Sequence, residues 1–364
     1  MVKSLYVSAF MPRENARHAG GRVSYENLIR LRRDSSQVDV IVCTTESEIE
    51  APSTVGMVVI RHRLLSFAKY LFRNMSGLRL QSLLAAPIIH TRLNLEAERE
   101  ITDRLRSSNY DEIFVDFTQS ILLVLRATQL AGRTPRIVAC VHDVFAQRTL
   151  RSERLIDIFL AGVILRQEQL LLNSVQCVVT LSAKDRNLLT SLYTCSSVEI
   201  KPFSPPSWCS RVVRTSQSID SRSLIFFGNF DRIENSSAVR WFLQNVMGQV
   251  CSAIPEATLT LVGTGSDRFA AELADYRVSG TGFLEDPSMH FSRCALAIAP
   301  LFQGAGVKFK VLEALACGVP VIGTPVACEG IDAHLGLVCA SAENFATAVI
   351  RRLTSVDTGV GLEN

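Results

Sequence analysis

Short apolar runs alternate with longer segments of helical period through the first 202 residues. The runs are rich in Val, Ile and Leu without a polar interruption, as in strands of a parallel sheet covered on both faces. The predicted strands are Leu5–Phe10, Val38–Cys43, Val58–Ile60, Glu112–Asp116, Ile137–His142 and Gln176–Leu181. The predicted helices are Tyr25–Arg33, Asn94–Ser107, Ser120–Ala131, Arg151–Leu172 and Lys184–Tyr193. The pattern predicts a doubly wound α/β domain at residues 1–202.

A stretch rich in proline and serine then interrupts the alternation. It can continue neither a helix nor a strand, so we predict a linker at residues 203–222 and a second domain at 223–364. The second domain is predicted to repeat the α/β pattern. Its strands are expected at Ser223–Phe227, Thr258–Val262, Leu296–Pro300 and Val319–Gly323, and its helices at Ser236–Ile254, Asp267–Tyr276, Val307–Cys317 and Asn344–Leu353. Ligands of such folds bind at the carboxyl ends of the strands, so a cleft between two Rossmann-like domains is the expected site.

The composition excludes several classes of protein. The chain has 364 residues, of which 48% are hydrophobic and 20% charged, so it is neither disordered nor fibrous. No uncharged run reaches the ~18 residues that a spanning helix needs, and the first ten residues do not resemble a signal peptide. A cytoplasmic protein is therefore expected. The ten cysteines show no CxxC pair, which favours buried, reduced thiols over a metal or redox site.

Charge is distributed unevenly between the two halves. The net formal charge is +3, but residues 1–202 contribute +6 and residues 203–364 contribute −3. Residues 51–95 contain no acidic residue, and Leu64–Tyr70 and Leu78–Leu84 mix apolar residues with Arg and Lys. This composition suits a segment that contacts the inner face of a membrane. Ordinary helices with solvated basic faces are the alternative. Nucleic acid is not an expected partner, because no aromatic platform accompanies the basic residues.

The stretch from Pro300 to Gly330 carries the clearest chemistry. A predicted strand ends in a glycine loop at Gln303–Gly306, which leads directly into a helix. Free backbone N–H groups at such a helix start favour an anion, and Lys308 and Lys310 can add charge-assisted contacts to phosphate. Glu313 follows in the same helix, where its carboxylate could accept from ribose hydroxyls. The alternative is an exposed, solvated helix face.

This stretch resembles the signature of the GT4-type (group 1) retaining glycosyltransferases of the GT-B fold. The resemblance is strong from residue 223 to 332 and weaker before, where it rests on Gly20-Gly21, His142-Asp143 and Thr180-Leu181-Ser182. Further segments occur in the order of the family: Ile225-Phe226-Phe227-Gly228-Asn229-Phe230, Asn235–Phe242, Pro255–Gly263, Gly280–Asp286 and Ala299-Pro300-Leu301. The resemblance implies a nucleotide-sugar donor held mainly by the second domain.

The resemblance also implies roles for single residues. Glu313 matches the second glutamate of the EX7E motif, which holds the ribose, and the backbone at Phe283 matches a segment that contacts the base. Gly20 and Gly21 match a loop near the donor phosphates, and His142 matches a histidine that contacts the donor sugar. A satisfied core histidine is the alternative for His142. The expected catalytic residues are His142, Lys308, Lys310 and Glu313, and the expected donor-binding residues are Gly20, Gly21, Gly228, Asn229, Asn235, Gly263, Phe283, Gly304, Gly306 and Val307.

Three departures from the family pattern concern charge and length. The first glutamate of EX7E is replaced by Ala305, and the family's common Arg and Lys fall near Asn229 and Asn235, which are not basic. We therefore hypothesise that Lys308 and Lys310 supply the missing positive charge. The final helix that crosses back to the first domain in the family is also not found before Asn364.

The expected reaction is transfer of a sugar, with retention, from the nucleotide sugar to a glycan or lipid-linked glycan acceptor in surface polysaccharide or glycoconjugate biosynthesis. No cofactor or metal is expected, since the nucleotide sugar is a substrate and no Asp-x-Asp motif occurs. A nicotinamide site at Gly263-Thr-Gly265 is disfavoured because position 268 is Arg rather than a third glycine. A nucleotide-sugar epimerase or a catalytically degenerate partner subunit are the alternative functions.

Overall fold

The computed structural model describes residues 2–14, 16, 19–44, 57–61, 92–151, 155–201, 204–275, 277–331 and 336–357. The chain divides into two compact units, Met1–Phe203 and Ser204–Asn364. Part of the predicted linker is packed rather than extended. Ser207–Arg211 form a 3₁₀ turn, and its Trp208 and Cys209 are buried in the apolar core of the second unit.

The first unit is built on a parallel sheet of seven strands in the order β3-β2-β1-β4-β5-β6-β7. The strands are β1 Lys3–Ser8, β2 Gln37–Thr44, β3 Met57–Arg61, β4 Glu112–Asp116, β5 Arg136–Val141, β6 Cys177–Thr180 and β7 Val198–Ile200. Its helices are α1 Ala19–Asp34, α2 Leu95–Ser107, α3 Ile121–Ala131, α4 Phe145–Leu150, α5 Leu155–Leu172 and α6 Ala183–Leu192. Chain order reverses between β1 and β4, where Ser8 pairs with Asp116 at the carboxyl ends of both strands.

The second unit has a parallel sheet of six strands in the order β10-β9-β8-β11-β12-β13. The strands are β8 Asp220–Phe227, β9 Thr258–Val262, β10 Val278–Gly280, β11 Cys294–Ala299, β12 Val321–Gly323 and β13 Leu337–Cys339. Its helices are α7 Ile233–Phe242, α8 Gly248–Ala253, α9 Ser266–Leu273, α10 Ser288–Arg293, α11 Phe309–Ala316, α12 Pro325–Cys328 and α13 Phe345–Asp357. Here the chain order reverses between β8 and β11.

Burial explains why the central strands lack polar alternation. All six residues of β11 are buried, as are the last five of β5, because helices cover both faces of each sheet. The mean hydropathy of +0.21 is thus accounted for by two sheets with apolar residues on both faces. No helix among the described residues has the length and apolar character to cross a membrane.

Several predicted elements differ from the structure at their ends. The helix predicted at Ser236–Ile254 begins earlier, at Ile233, and a π-helical turn at Leu243–Met247 joins α7 to α8. The helix predicted from Val307 begins at Phe309, with Lys308 at its N-cap. The amphipathic segments predicted at Leu64–Tyr70 and Leu78–Leu84 lie outside the described residues. Six of the ten cysteines are buried, and all ten are free thiols.

Candidate functional site

In the first unit, a buried carboxylate lies at the point where the strand order reverses. Asp116 ends β4, and its side chain has no solvent exposure. Its Oδ2 atom accepts hydrogen bonds from the hydroxyls of Tyr6 at 2.6 Å and Ser24 at 2.7 Å. Its Oδ1 atom lies 2.7 Å from Nε2 of His142 and accepts from the amide of Asn27 at 3.2 Å. Doubly wound sheets bind ligands at this kind of reversal, so the cluster is well placed for a functional role.

The predicted His142 directly follows β5 and is held on two sides. Asp116 contacts its edge, and the ring of Phe117 stacks on its face with 3.8 Å between ring centroids and 20° between planes. Burial is the largest single effect on the pKa of His142 and lowers it, but the combined charge and hydrogen-bond contributions of Asp116 and Cys140 outweigh burial and raise that pKa to about 10. His142 is therefore an imidazolium at neutral pH. Its 9% side-chain exposure leaves a small part of the ring accessible.

Gly20 and Gly21 begin α1, the helix that also supplies Ser24 and Asn27 to the carboxylate of Asp116. Gly21 is buried, and its carbonyl accepts from the backbone N–H of Arg13 at 3.2 Å. The structure thus brings Gly20, Gly21 and His142, which the sequence analysis proposed separately, to one end of one sheet.

Asp116, Cys140 and His142 also place three possible metal-ligand atoms within 4.8 Å of one another. The hydrogen bonds already described use both carboxylate oxygens of Asp116. Burial raises the pKa of the Cys140 thiol, which keeps it protonated, whereas metal ligation needs the thiolate. The arrangement is better explained as a buried hydrogen-bonded network than as a metal site.

In the second unit, two glycines bring the ends of β8 and β9 into close contact. Gly228 follows β8, and its N–H donates to the carbonyl of Val262, the last residue of β9, at 2.9 Å. Gly263 follows with φ +127°, and a Cβ atom added to it would lie only 2.2 Å from the carbonyl oxygen of Gly228. The N–H of Gly263 donates to the carbonyl of Gly282, next to the predicted base-contacting residue Phe283. The close packing of the two strand ends therefore requires glycine at position 263.

Lys310 brings a positive charge to this edge. Its Nζ atom donates to Oδ1 of Asn235, and the amide of Asn235 in turn donates to the carbonyl of Asn229 at 2.6 Å. The same Nζ lies 4.5 Å from the centre of the Phe226 ring and 3.0 Å from where a Cβ of Gly228 would be. Lys310 thus places its ammonium group against the side chain of Asn235, although the two residues are 75 positions apart in the sequence.

The pKa of Lys310 is lowered to about 7, first by burial and then by the charges of Arg232 and Lys308. A lysine in the unfolded chain keeps its proton up to about pH 10.4. Between these two values the unfolded chain binds more protons, so the free energy of unfolding should increase as the pH rises above 7.

This pH dependence can be measured by urea denaturation of the wild type and of Lys310→Met at pH 6.5 and 8.5. We expect the free energy of unfolding of the wild type to rise by about 2 kcal/mol more than that of the variant over this interval. The same change with pH in both proteins would contradict the assignment of a lowered pKa to Lys310. Arg240→Met, which removes an exposed charge from α7, should follow the wild type.

The glycine loop before α11 holds the other predicted lysine. Gly304 and Gly306 have φ values of +106° and +69°, which side chains of L-residues rarely permit. Lys308 folds back, and its Nζ donates to the carbonyls of Ala305 at 3.1 Å and Gly306 at 2.7 Å. Val307, which lies between Gly306 and Lys308 in the sequence, is buried. Lys308 therefore contributes to the shape of this loop as well as to its charge.

Glu313 lies one helical turn after Lys310, and its side chain has no solvent exposure. Its charge raises the pKa of Lys310, in opposition to the dominant effect of burial. The complete burial of Glu313 excludes the solvated helix face as the explanation of this residue.

Asp116 and Phe117 are the residues of this site that sequence analysis missed. Their partners lie far along the chain, since Tyr6 and Asp116 are 110 positions apart. One signal was available: Asp116 ends a buried strand at a sheet edge where ligands bind. The positive φ of Phe117, +76°, has no counterpart in the sequence pattern.

A comparison with protein-family models finds a match within the second unit. Residues 221–355 match the family model of group 1 glycosyl transferases. This segment is a group 1 glycosyltransferase domain. It contains the predicted donor-binding residues of the second unit, whereas Gly20, Gly21 and His142 lie outside the matched residues.

Solved structures are similar over nearly the whole chain. Sucrose-phosphate synthase from Thermosynechococcus elongatus has a TM-score of 0.69 at 15% identity, with 98% of this chain and 90% of that chain covered. HepE from Anabaena, solved in complex with UDP and glucose, has a TM-score of 0.61 at 13% identity, with 98% and 92% covered. These likenesses confirm the GT-B fold that accompanies the group 1 glycosyltransferase domain.

One curated relative matches a smaller part of the chain. It is described as "Uncharacterized 44.6 kDa protein in cps region" of Klebsiella pneumoniae and is 28% identical over 124 residues. The match covers 31% of this chain and 32% of that protein. The chain thus spans about a third of the length of this relative.

Proposed function

We propose that the protein transfers a sugar from a nucleotide-sugar donor to a glycan or lipid-linked glycan, with retention of configuration. The donor would bind along the glycine edge of the group 1 domain, which is formed by Gly228, Gly263 and the loop at 303–306. The relative HepE was solved with UDP and glucose, which supports a donor of this class.

The observation that carries the proposal is the position of Lys310. The family's common basic residues are missing at Asn229 and Asn235, yet the Lys310 ammonium group lies against the Asn235 side chain. A partly buried cation that contacts an amide oxygen is suited to bind an anion such as a diphosphate. The lowered pKa of Lys310 is consistent with this role, because a bound diphosphate would favour the protonated form and raise that pKa again.

The chemistry follows from these groups. The bond between the anomeric carbon and the diphosphate oxygen breaks, and a bond forms between that carbon and the acceptor hydroxyl on the same face. The hydroxyl proton passes to the leaving diphosphate, so the step needs no protein base. Lys310, Lys308 and the N-terminus of α11 would stabilise the negative charge that grows on the leaving group. Glu313 would hold the ribose of the nucleotide.

The acceptor is proposed to be an intermediate of a surface polysaccharide or glycoconjugate. The relative from a cps region supports this assignment. The acid-free composition of residues 51–95 favours a protein that works at the inner face of the membrane, where a lipid-linked acceptor would be presented.

A thermal-shift screen with UDP, GDP and other nucleotides, followed by hydrolysis assays with the matching nucleotide sugars, tests the donor class. We expect one nucleotide to raise the melting temperature and one nucleotide sugar to release free nucleotide slowly. Glu313→Gln keeps the size of the side chain and should weaken binding of that nucleotide by about 10- to 100-fold, since a hydrogen bond to a charged group is worth ~1.5–3 kcal/mol.

Glu272→Gln is the matched control, because Glu272 is 63% exposed in the same unit. It should bind nucleotide like the wild type. If no nucleotide binds, the donor site is refuted. If nucleotide binds but no nucleotide sugar is hydrolysed or transferred, the chain is a degenerate subunit.

A further inference from the structure

The first unit contains a strained aromatic residue beside a fully hydrogen-bonded carboxylate. Phe117 has φ +76° and ψ 135°, a backbone conformation that glycine adopts freely and other residues do not. Its N–H donates to the carbonyl of Cys140 at 3.0 Å, so β5 fixes the strained residue in place. Strain of this kind persists only where the surroundings impose it, and it is concentrated at functional sites.

The result of this strain is the position of one ring. The Phe117 ring stacks on the imidazole of His142, and the ring of Phe10 packs against Phe117 at 4.7 Å with an interplanar angle of 64°. Phe117 is 7% exposed, so its ring is fixed by packing rather than free to rotate. The face of the imidazole is thereby held.

The edge of the imidazole is held by Asp116. Three donors from two elements fix this carboxylate: Tyr6 on β1, and Ser24 and Asn27 on α1. A carboxylate restrained in this way can offer only one position to Nε2 of His142. Two consecutive residues thus restrain the histidine in two perpendicular directions.

We propose that Asp116 and Phe117 are positioning residues that hold His142 as a cation in one orientation for the sugar-transfer step. This inference rests on the proposed function and adds His142 to the groups that act in the transfer. A positive charge that is already fixed in one orientation can stabilise a leaving diphosphate without a rearrangement during the reaction. The histidine then acts by charge and position and not by exchanging a proton.

The groups that face His142 support a lasting positive charge. Among the described residues, its titratable neighbours are Asp116 and Cys140, with Tyr6 behind Asp116. Burial raises the pKa of both the Cys140 thiol and the Tyr6 hydroxyl, so these two groups stay neutral. Asp116 is the one negative partner that these neighbours provide.

The first test is an NMR titration of the histidine side chains, with the His142 signal assigned by its loss in His142→Gln. In the wild type this ring should stay protonated up to pH 9. In Asp116→Asn it should titrate below the ordinary value of about 6.5, because burial then lowers the pKa without an opposing carboxylate. A wild-type ring that titrates near 6.5 would overturn the proposal, whether or not the protein transfers sugar.

The second test follows donor turnover with pH. Asp116→Asn should lose turnover as the pH rises from 5 to 7, because its buried ring loses the proton below the ordinary value, whereas the wild type should show no histidine-type decline in that range. A residue that serves only the fold would reduce the amount of active enzyme without changing the pH profile. An unchanged profile in folded Asp116→Asn would therefore refute the positioning role. If the same variant still binds nucleotide, the proposed donor site in the second unit is unaffected by that result.

Phe117 provides a pair of variants that remains informative if Asp116→Asn does not fold. Phe117→Ala and Phe117→Gly both remove the ring, but only glycine relaxes the backbone. We expect both to reduce turnover by about 10- to 100-fold, since small displacements of catalytic groups have effects of that size. Phe117→Gly should melt at a higher temperature than Phe117→Ala. Wild-type turnover in the two variants would refute the role of the ring.

Discussion

Lys310→Met should weaken the binding of nucleoside diphosphate by about 10- to 100-fold while leaving the protein folded. The expectation follows from the loss of one charge-assisted contact, worth ~1.5–3 kcal/mol. Methionine is close to lysine in length, so the substitution removes the charge and leaves the side chain's packing largely unchanged. Isothermal titration calorimetry with the nucleotide identified by thermal shift would measure the effect.

The position of the charge can be tested separately from its presence. Asn235→Lys in the Lys310→Met background places an amine on the residue that the Lys310 ammonium contacts. We expect this double variant to recover at least part of the lost affinity. Arg240→Met removes an exposed charge from the same unit and should bind normally. Wild-type affinity in Lys310→Met would refute the idea that this lysine replaces the missing basic residues.

Lys308 differs from Lys310 in its contacts, so the two lysines should not contribute equally. Its Nζ atom already donates to two loop carbonyls, and a ligand would have to compete with them. The Lys308→Ala/Lys310→Ala double variant should abolish transfer, and most of the loss in donor affinity should already be present in Lys310→Ala.

The pattern of apolar residues predicted the central strands of both sheets because these strands are buried on both faces. It missed the three-residue strands Val198–Ile200, Val278–Gly280 and Leu337–Cys339. Each of them lies at a sheet edge and pairs with a single neighbour, so burial imposes no long apolar run there. Short edge strands of this kind are difficult to distinguish from loops in sequence.

The sequence also indicated Asn235 and Lys310 individually but not their contact. Helix periodicity places each residue on its own element, whereas the hydrogen bond between them depends on how α7 and α11 pack against β8 and β11. The same reason hid Asp116 and Phe117, whose significance arises only when β1, β4 and β5 lie side by side. Residue types at strand ends could be predicted, and distances between them could not.

Gly263→Ala should destabilise the second unit by about 2–4 kcal/mol and impair nucleotide binding at the same time. Its methyl group would lie 2.2 Å from the Gly228 carbonyl oxygen, and the backbone at φ +127° is itself unfavourable for alanine. Gly228 cannot move aside freely, because its N–H is bonded to Val262 and the Lys310 ammonium packs against it. Thermal and urea denaturation would measure the loss.

Gly248→Ala is the matched control for this substitution. Gly248 lies in α8 with φ −60°, and no atom lies within 4 Å of the place where its Cβ would be. Alanine there should stabilise the protein by about 0.5–1 kcal/mol, because helical glycine has the larger entropy to lose. If Gly263→Ala were as stable as Gly248→Ala, the close contact between the ends of β8 and β9 would not exist in solution. The backbone edge on which the proposed donor site depends would then have to be abandoned.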